Sequence, residues 1–345
     1  LSILRGMSKI TIKEIARLAG VSVGTVDRVL HNRGSVAPQT KELILSIARK
    51  NNYSTNIFAR SLKLNKTYNL AVLLPNDNEY WRSLAGGIGR KEAEYEQLGL
   101  RLDYFTFNRQ DKGSFLASAT KAIAAKPSGL ILAPLLREAS WQICRQLREH
   151  GIPFVFVDSN LPEAGPLAFI GQDTFKGGYL AAKLLNFGFP HGHDSFIVTF
   201  KEFDSFNKTI NERIEGFRAF YRDHDFPESL VTEISASPDV RELTGLFKRQ
   251  GPVHFFLPNS RAHQVIDRLA PAIERYRYRV VGFDLITPNK ACLHQGLLDF
   301  IIDQNPALQG ELSVQAFYHH FITRDKIEPQ QQIQLTIYTK ENLIP

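Results

Sequence analysis

Cysteine is nearly absent: Cys144 and Cys292 are the only two in 345 residues, far apart and in no metal-type spacing. That excludes a disulfide framework and a cysteine-based zinc site, and makes a reducing compartment, the cytoplasm, the expected location. Long apolar runs are missing too; none approaches the roughly 20 residues a membrane helix needs. The leading LSILRG is too short for a secretory signal, and Met7 reads as the start. Dinucleotide binding needs G-x-G-x-x-G directly after the first strand, but LLPNDNEYW stands there and AGGIGRKE falls inside a helical pattern. No P-loop or nucleophile elbow occurs. HGHD at 191–194 has metal-ligating types but lies between a helix and a strand with no further ligand nearby, and reads as a solvated loop. Neither a metal nor a cofactor is expected. Cys144, on an amphipathic helical pattern, reads as a small core residue.

What the chain does have is length for two or three domains and an uneven charge. The net charge is +7, yet residues 1–66 hold twelve of the 42 Lys and Arg and only three of the 35 Asp and Glu. A small basic head therefore precedes a nearly neutral body. That is the distribution expected if only the head meets a polyanion, although charge alone describes a solvated face equally well.

The head reads as three short helices. Thr11 and Glu14 form a capping box. Ile12, Ile15, Ala16 and Ala19 recur at helical spacing, and Gly20 permits the left-handed exit. Ser22 caps a second helix whose Val26, Val29 and Leu30 share a face. Pro38 opens a third that buries Leu43, Ile44, Ile47 and Ala48. Two helices across a tight turn make a helix-turn-helix, a geometry that an ordinary three-helix packing unit shares.

The residues themselves go further. TIKEIARLAGVSVGTVDRVL, from Thr11 to Leu30, resembles the N-terminal DNA-binding domain of the lactose and galactose repressor family, which begins T-x-x-[DE]-[IV]-A-x-x-A-G-V-S-x-x-T-V-[SD]-R-[VI]-L-N. The resemblance continues through SVAPQTKELILSIARKNNY and YSTNIFARSLK. It implies a recognition helix in the major groove, with Val23, Gly24, Asp27 and Arg28 at base-reading positions. Ser22, Thr25, Asn32, Arg33 and Thr40 would meet phosphates, which fix register without reading sequence. Arg28 can hold a guanine edge in bidentate fashion, a contact that discriminates by about 1–3 kcal/mol. Asp27 departs from the serine many members carry, and Gly24 removes a base-reading side chain. Asn56 can cap a helix of about two turns, too short to stand alone in water. In the resembled family this hinge helix forms on DNA, and Asn56, Ala59, Arg60, Leu62 and Lys63 would be its minor-groove residues, Leu62 wedging between base steps. Without the preceding domain the same stretch is a plain linker.

From Asn69 the chain alternates apolar runs with amphipathic segments: NLAVLLP, RLDYFTF, GLILAP and PFVFVD, then SFIVTF, LVTEIS, VHFFLP and RVVGFD. Such runs indicate parallel strands with helices on both faces. Two groups of about four predict an α/β body of two doubly wound lobes with a ligand cleft between them. The order resembles periplasmic sugar-binding proteins and the effector domains of the same repressor family. The expected domains are 7–55 for DNA binding, 56–67 for hinge helix and linker, and 68–345 for effector binding and dimerisation. Gly177 and Gly178, near a helix start, are expected to permit close helix packing.

A sugar offers hydroxyls that donate and accept, so its site needs planar bidentate groups and an aromatic face. The strand ends supply both. Tyr80 and Trp81 follow the first strand, where the resemblance implies stacking aromatics. Asp158 ends PFVFVD, Asn259 ends VHFFLPN and Asp284 ends VVGFD; the resemblance adds Arg213 in the family's R-x-x-G-F stretch (RIEGF), Gln304 in IIDQNP at its last ligand-facing glutamine, and Thr174 in GQDTFKGG at a position often filled by asparagine. An aspartate after a parallel strand also commonly caps the next helix, so the joint occurrence carries the reading. Ser159, where pentose binders commonly have arginine, and the apolar Leu135 and Leu136 argue against a ribose-like ligand. The expectation is a homodimeric, DNA-binding transcription regulator controlled by a carbohydrate-like effector. It has no trailing leucine heptad to suggest a tetramer. A solute-binding module without sequence-specific DNA binding and a sugar-acting α/β enzyme are the alternatives.

Overall fold

The computed structural model describes residues 10–30, 34–51, 66–189, 191–200, 208–237, 243, 252–271, 274 and 277–343. Two compact units divide between Leu64 and Asn65.

In the first unit, α1 (Ile12–Ala19), α2 (Val23–Leu30) and α3 (Pro38–Lys50) close one small core. The capping box forms: the Thr11 hydroxyl accepts from the Glu14 backbone N–H at 3.3 Å, and the Glu14 carboxylate accepts from the Thr11 N–H at 2.7 Å. Gly20 leaves α1 at φ 64°, and the Ser22 hydroxyl accepts from the Thr25 N–H at 3.1 Å at the start of α2. Ile15, Ala16, Val26, Val29, Ile44 and Ala48 are buried. Leu43, expected among them, is 46% exposed. At about 100° per residue, the stripe through Ile44 and Ala48 carries Ile47 at its edge and turns Leu43 away.

The second unit holds two six-stranded sheets of matching order, β11-β5-β4-β3-β1-β2 and β12-β10-β9-β8-β6-β7. The first comprises β1 (Tyr68–Pro75), β2 (Leu100–Phe107), β3 (Gly129–Leu132), β4 (Phe154–Val157), β5 (Ala168–Gly171) and β11 (Gln330–Gln332). The second comprises β6 (Ser195–Phe200), β7 (Val231–Ala236), β8 (Val253–Phe256), β9 (Tyr278–Phe283), β10 (Phe300–Asp303) and β12 (Thr336–Tyr338). All pairings are parallel except β10 with β12. Every expected apolar run is a strand. Two further strands, AFIG and FIID, and the two short edge strands complete the sheets.

Among the described residues the remaining α-helices are α4 (Glu79–Tyr95), α5 (Lys112–Ala124), α6 (Arg137–Glu149), α7 (Thr174–Asn186), α8 (Lys208–Asp223), α9 (Ala262–Leu269), α10 (Thr287–His294) and α11 (Pro306–Tyr318). The lobes are not consecutive in the chain. After β5 the chain crosses through Gln172 and Asp173 to α7, which packs on the second sheet. After β10 it crosses back through Gln304 and Asn305 to α11, which packs on the first, and a third passage joins β11 to β12.

Two helix pairs approach closely at glycines. A Cβ on Gly87 of α4 would lie 1.9 Å from the Ala307 carbonyl oxygen of α11, and one on Gly178 of α7 only 1.7 Å from the Arg213 carbonyl oxygen of α8. The second contact sets the position of Arg213.

Candidate functional site

On the head, Ser22, Val23, Gly24 and Arg28 are exposed, and Thr25, Asp27 and Thr40 are half-buried. Val23 is an apolar side chain left 46% exposed at the first position of α2, where a helix core would not place it. The Arg28 Nε donates to the Gly24 carbonyl of its own helix at 3.2 Å, which holds the guanidinium along the exposed face. Asn32 and Arg33, with the hinge positions Asn56, Ala59, Arg60, Leu62 and Lys63, lie outside the described residues.

In the body, strand ends from both lobes converge on one pocket. It is lined by Tyr80, Trp81, Asp158, Arg213, Asn259, Asp284 and Gln304, seven of the eight effector candidates. Thr174 lines an adjoining chamber instead, its hydroxyl donating to Glu212. The sheets' matching order pairs Asp158, after β4, with Asp284, after β9. Both have left-handed backbones, at φ 66° and 69°. That conformation costs a non-glycine residue roughly 1–3 kcal/mol and clusters at functional sites. Backbone bonds hold it here: the Asp158 N–H donates to the Ile170 carbonyl at 3.2 Å and the Asp284 N–H to the Ile302 carbonyl at 3.1 Å.

The side chains form a continuous polar network. The Tyr80 hydroxyl donates to Asp158 Oδ1 at 2.7 Å and accepts from Gln309 Nε2 at 3.3 Å. The Gln309 Oε1 accepts from the Asp158 N–H at 3.0 Å. Ser159 donates its hydroxyl to Asp158 Oδ2 at 2.9 Å, and Gln304 Nε2 donates to Asp284 Oδ1. Arg213 donates to the Pro258 carbonyl at 2.8 Å and stacks 3.8 Å from the Phe283 ring centroid. Tyr80 thus appears as a hydrogen-bonded wall rather than an open stacking face, with Trp81 edge-on against it at 4.9 Å. The buried Trp81 Nε1 has no hydrogen-bond partner among the described residues. From the first lobe Glu79 also reaches the second, accepting from the Thr287 N–H and hydroxyl at 2.9 Å each.

Burial raises the Asp284 carboxyl to about 7, against the opposing pull of the Arg213 guanidinium, while Asp303 and Asp158 add to the rise. Burial, then the carboxylates of Asp158 and Asp284, hold the Tyr80 phenol well above its ordinary range, so it remains a donor. A carboxyl raised on folding binds more protons folded than unfolded between the two pKa values. Its contribution to stability is therefore present below the unfolded value and fades as pH rises toward about 7. Asp284→Asn should flatten that decline in a series of thermal melts from pH 4 to 8; an unchanged pH profile would remove Asp284 as its source.

Sequence reasoning passed over several lining residues, including Asn78, Arg109, Thr209, Ser260 and Arg261. Arg109 follows β2 as the other candidates follow their strands, and pairs with Asp77 at 2.6 Å; the position was a usable signal. His193 of the HGHD stretch does have a near neighbour, His254, at 5.1 Å between ring centroids. Burial holds His254 down at about 3, and among the described residues no three metal-capable side chains cluster. Cys144 is fully buried, its thiol pushed up to about 12 by burial.

Residues 70–323 match the family model of the periplasmic binding protein domain, and residues 11–56 that of bacterial regulatory proteins of the lacI family. The HTH-type transcriptional regulator DegA of Bacillus subtilis is 28% identical over 295 residues, 80% of this chain and 82% of that protein. The sucrose operon repressor of Klebsiella pneumoniae is 31% identical over 170 residues, 45% of this chain and 50% of that protein. The chain thus spans only half the length of the second relative. Among solved structures, a Bacteroides fragilis protein assigned to the LacI transcriptional regulators superposes with a TM-score of 0.72 at 27% identity, covering 80% of this chain and 98% of that one. No helix among the described residues is long and apolar enough to cross a membrane.

Proposed function

This chain belongs to the periplasmic binding protein domain family and carries the DNA-binding head of the lacI-family bacterial regulators, and on that premise we propose that it works in the cytosol as a homodimer on a pseudo-palindromic operator. A small carbohydrate held between the lobes sets its operator affinity. It binds that ligand without turning it over. Residues 7–55 act on DNA, 56–67 form the hinge helix and linker, and 68–345 bind effector and dimerise.

The observation that carries the reading is the convergence of arginine, carboxylate, amide and aromatic groups from both lobes on one interlobe pocket. Such a lining suits a polyhydroxylated ligand, because each group pairs with hydroxyls that both donate and accept. Two heads on one dimer raise the effective concentration of the second once the first is bound. Ligand closure of the lobes shifts the seat of the hinge helices at 56–64, with a coupling of about 1–3 kcal/mol acting reciprocally on ligand and DNA.

The test uses the full chain. Footprinting on its own promoter region should reveal a two-fold site, with affinity falling by about 0.9 log unit per log unit of salt for each phosphate neutralised. A melting-temperature screen of pentoses, hexoses, uronic acids and sugar phosphates should show stabilisation by mass action, about 2.7 kcal/mol at a hundredfold excess over Kd. Specific binding to no fragment, liganded or not, would end the regulator reading, and turnover of the stabilising sugar would revive the enzyme. Arg28→Ala should relax the preference for operator over random duplex by roughly 1–3 kcal/mol with a smaller loss of nonspecific binding. Unchanged preference in a competition assay would take the base-reading role away from Arg28.

A further inference from the structure

The pocket between the two aspartates has only about 50 Å³ of free volume, whereas the chamber beside it has about 390 Å³. The two share Leu135, Asp158 and Thr209 as walls, and Ser159, hydrogen-bonded to Asp158 at 2.9 Å and to Thr209 at 3.0 Å, stands at their border, so the chamber adjoins the pocket. The larger volume falls within the roughly 300–1,000 Å³ of small-molecule sites; the smaller one does not.

The chamber's polar wall is unusual in one respect. Gln172 is 3% exposed, and neither its Oε1 nor its Nε2 has a hydrogen-bond partner among the described residues. Buried polar groups are nearly always paired, and each exception needs a reason. The internal symmetry supplies one. Gln172 follows β5 as Gln304 follows β10, and Gln304 donates to Asp284. Asp158, the counterpart of Asp284, is instead taken up by Tyr80 and Ser159. The Gln172 amide is thereby left unpaired in the chamber wall, where the Asn160 Oδ1 is likewise without a partner among the described residues.

The remaining walls narrow the ligand. Phe169 and Phe175 give apolar surface suited to the C–H face of a sugar ring. The cations of the chamber are paired with carboxylates, Arg137 with Glu163 and Lys208 with Glu212, so an anionic group gains no uncompensated positive charge there. Amides with both donors and acceptors, an aromatic face and balanced charge fit a neutral glycosyl unit better than a phosphate or a uronate.

We propose that the effector is an uncharged sugar of at least two rings, lodged in the side chamber against Gln172 and Asn160 with one end reaching Asp158 and the narrow pocket beyond it. This rests on the carbohydrate reading above and specifies its size and charge.

The experiment measures, by calorimetry on the full-length protein, the affinities for neutral monosaccharides (glucose, galactose, fructose and xylose) and disaccharides (maltose, cellobiose, lactose, melibiose, sucrose and xylobiose). The same titrations are run on Gln172→Leu and Asn160→Leu. At least one disaccharide should bind tenfold or more tightly than either of its component sugars, and Gln172→Leu should erase most of that ratio. The unliganded Gln172→Leu protein should melt no lower than the parent, because an unpaired amide has been removed; a merely structural role would lower it. If Gln172→Leu fails to fold, Asn160→Leu must show the loss. Monosaccharides binding as tightly as every disaccharide, or a ratio untouched in both variants, would overturn the two-ring proposal and leave the carbohydrate effector standing. Binding of no sugar of either size would overturn the carbohydrate reading and this proposal with it.

Discussion

Arg213→Ala is expected to abolish the effector response while operator binding persists. Arg213 is 2% exposed, sits against Phe283 and the Pro258 carbonyl, and faces the pocket with Asp284. Truncating a buried arginine anchor of this kind typically costs 2 kcal/mol or more, roughly 30-fold or more in affinity. The structural penalty should stay below the roughly 3–5 kcal/mol of a stranded buried charge. Asp284 already titrates near 7 with Arg213 present, so without the guanidinium it can take up a proton rather than remain a bare anion. The check is fluorescence anisotropy on labelled operator, with and without the sugar that stabilises the parent protein. A variant that responds normally would mean that the effector sits elsewhere.

The second large effect concerns two adjacent glycines of α7 with opposite expectations. At Gly178 an added methyl would stand 1.7 Å from the Arg213 carbonyl oxygen and 2.8 Å from its Cα, and the partner helix repeats the arrangement with Gly216 against the Phe175 carbonyl at 1.9 Å. Backbone cannot swing aside as a side chain does, so Gly178→Ala must separate the helices. The cost should reach the upper part of the roughly 1–3 kcal/mol range for overpacking, or exceed it. Effector affinity should fall with it, since the displaced segment carries Arg213. At Gly177 the nearest atoms belong to the Phe283 ring, at 3.3 Å. A few tenths of an ångström of ring movement suffices there, and the gain in helix propensity of up to about 1 kcal/mol offsets the crowding. Gly177→Ala should therefore be close to neutral in chemical denaturation. Equal effects at the two positions would contradict the close approach of α7 and α8.

Much of this architecture is legible in the residues because its signals are local. The capping box of Thr11 and Glu14, the exit at Gly20 and Pro38 at the start of α3 each act within one helical turn. Runs such as NLAVLLP and VHFFLP are buried on both faces and read as continuous apolar stretches. AFIG and FIID escaped although they are no shorter than GLIL, FVFV and VHFF, and QQQ and TIY as edge strands whose pairing, not their composition, makes them strands. The strand-end rule located Asp158, Asn259 and Asp284, and the family resemblance Arg213, which lies within α8, but neither gave their partners. That Tyr80 is held by Asp158, 78 positions downstream, and by Gln309, on a helix 229 positions downstream, is encoded by no spacing in the sequence. Gln172 looked unremarkable because its significance lies in an internal symmetry visible only when the sheets are compared. Leu43 shows the reverse: apolar spacing alone includes a residue beside a buried stripe, though one step around the helix takes it out.

The chain's three passages between the lobes bear on how such a receptor can change over generations. Each lobe is assembled from separate stretches of the polypeptide, α7 being built onto the second sheet and α11 onto the first. A single recombination breakpoint therefore cannot transplant one lobe from a cousin without carrying off parts of the other. New ligand preferences in this lineage should arise by point substitution along the cleft, or by grafting the receptor whole onto another head, and chimaeras cut between β5 and α7 should fail to fold.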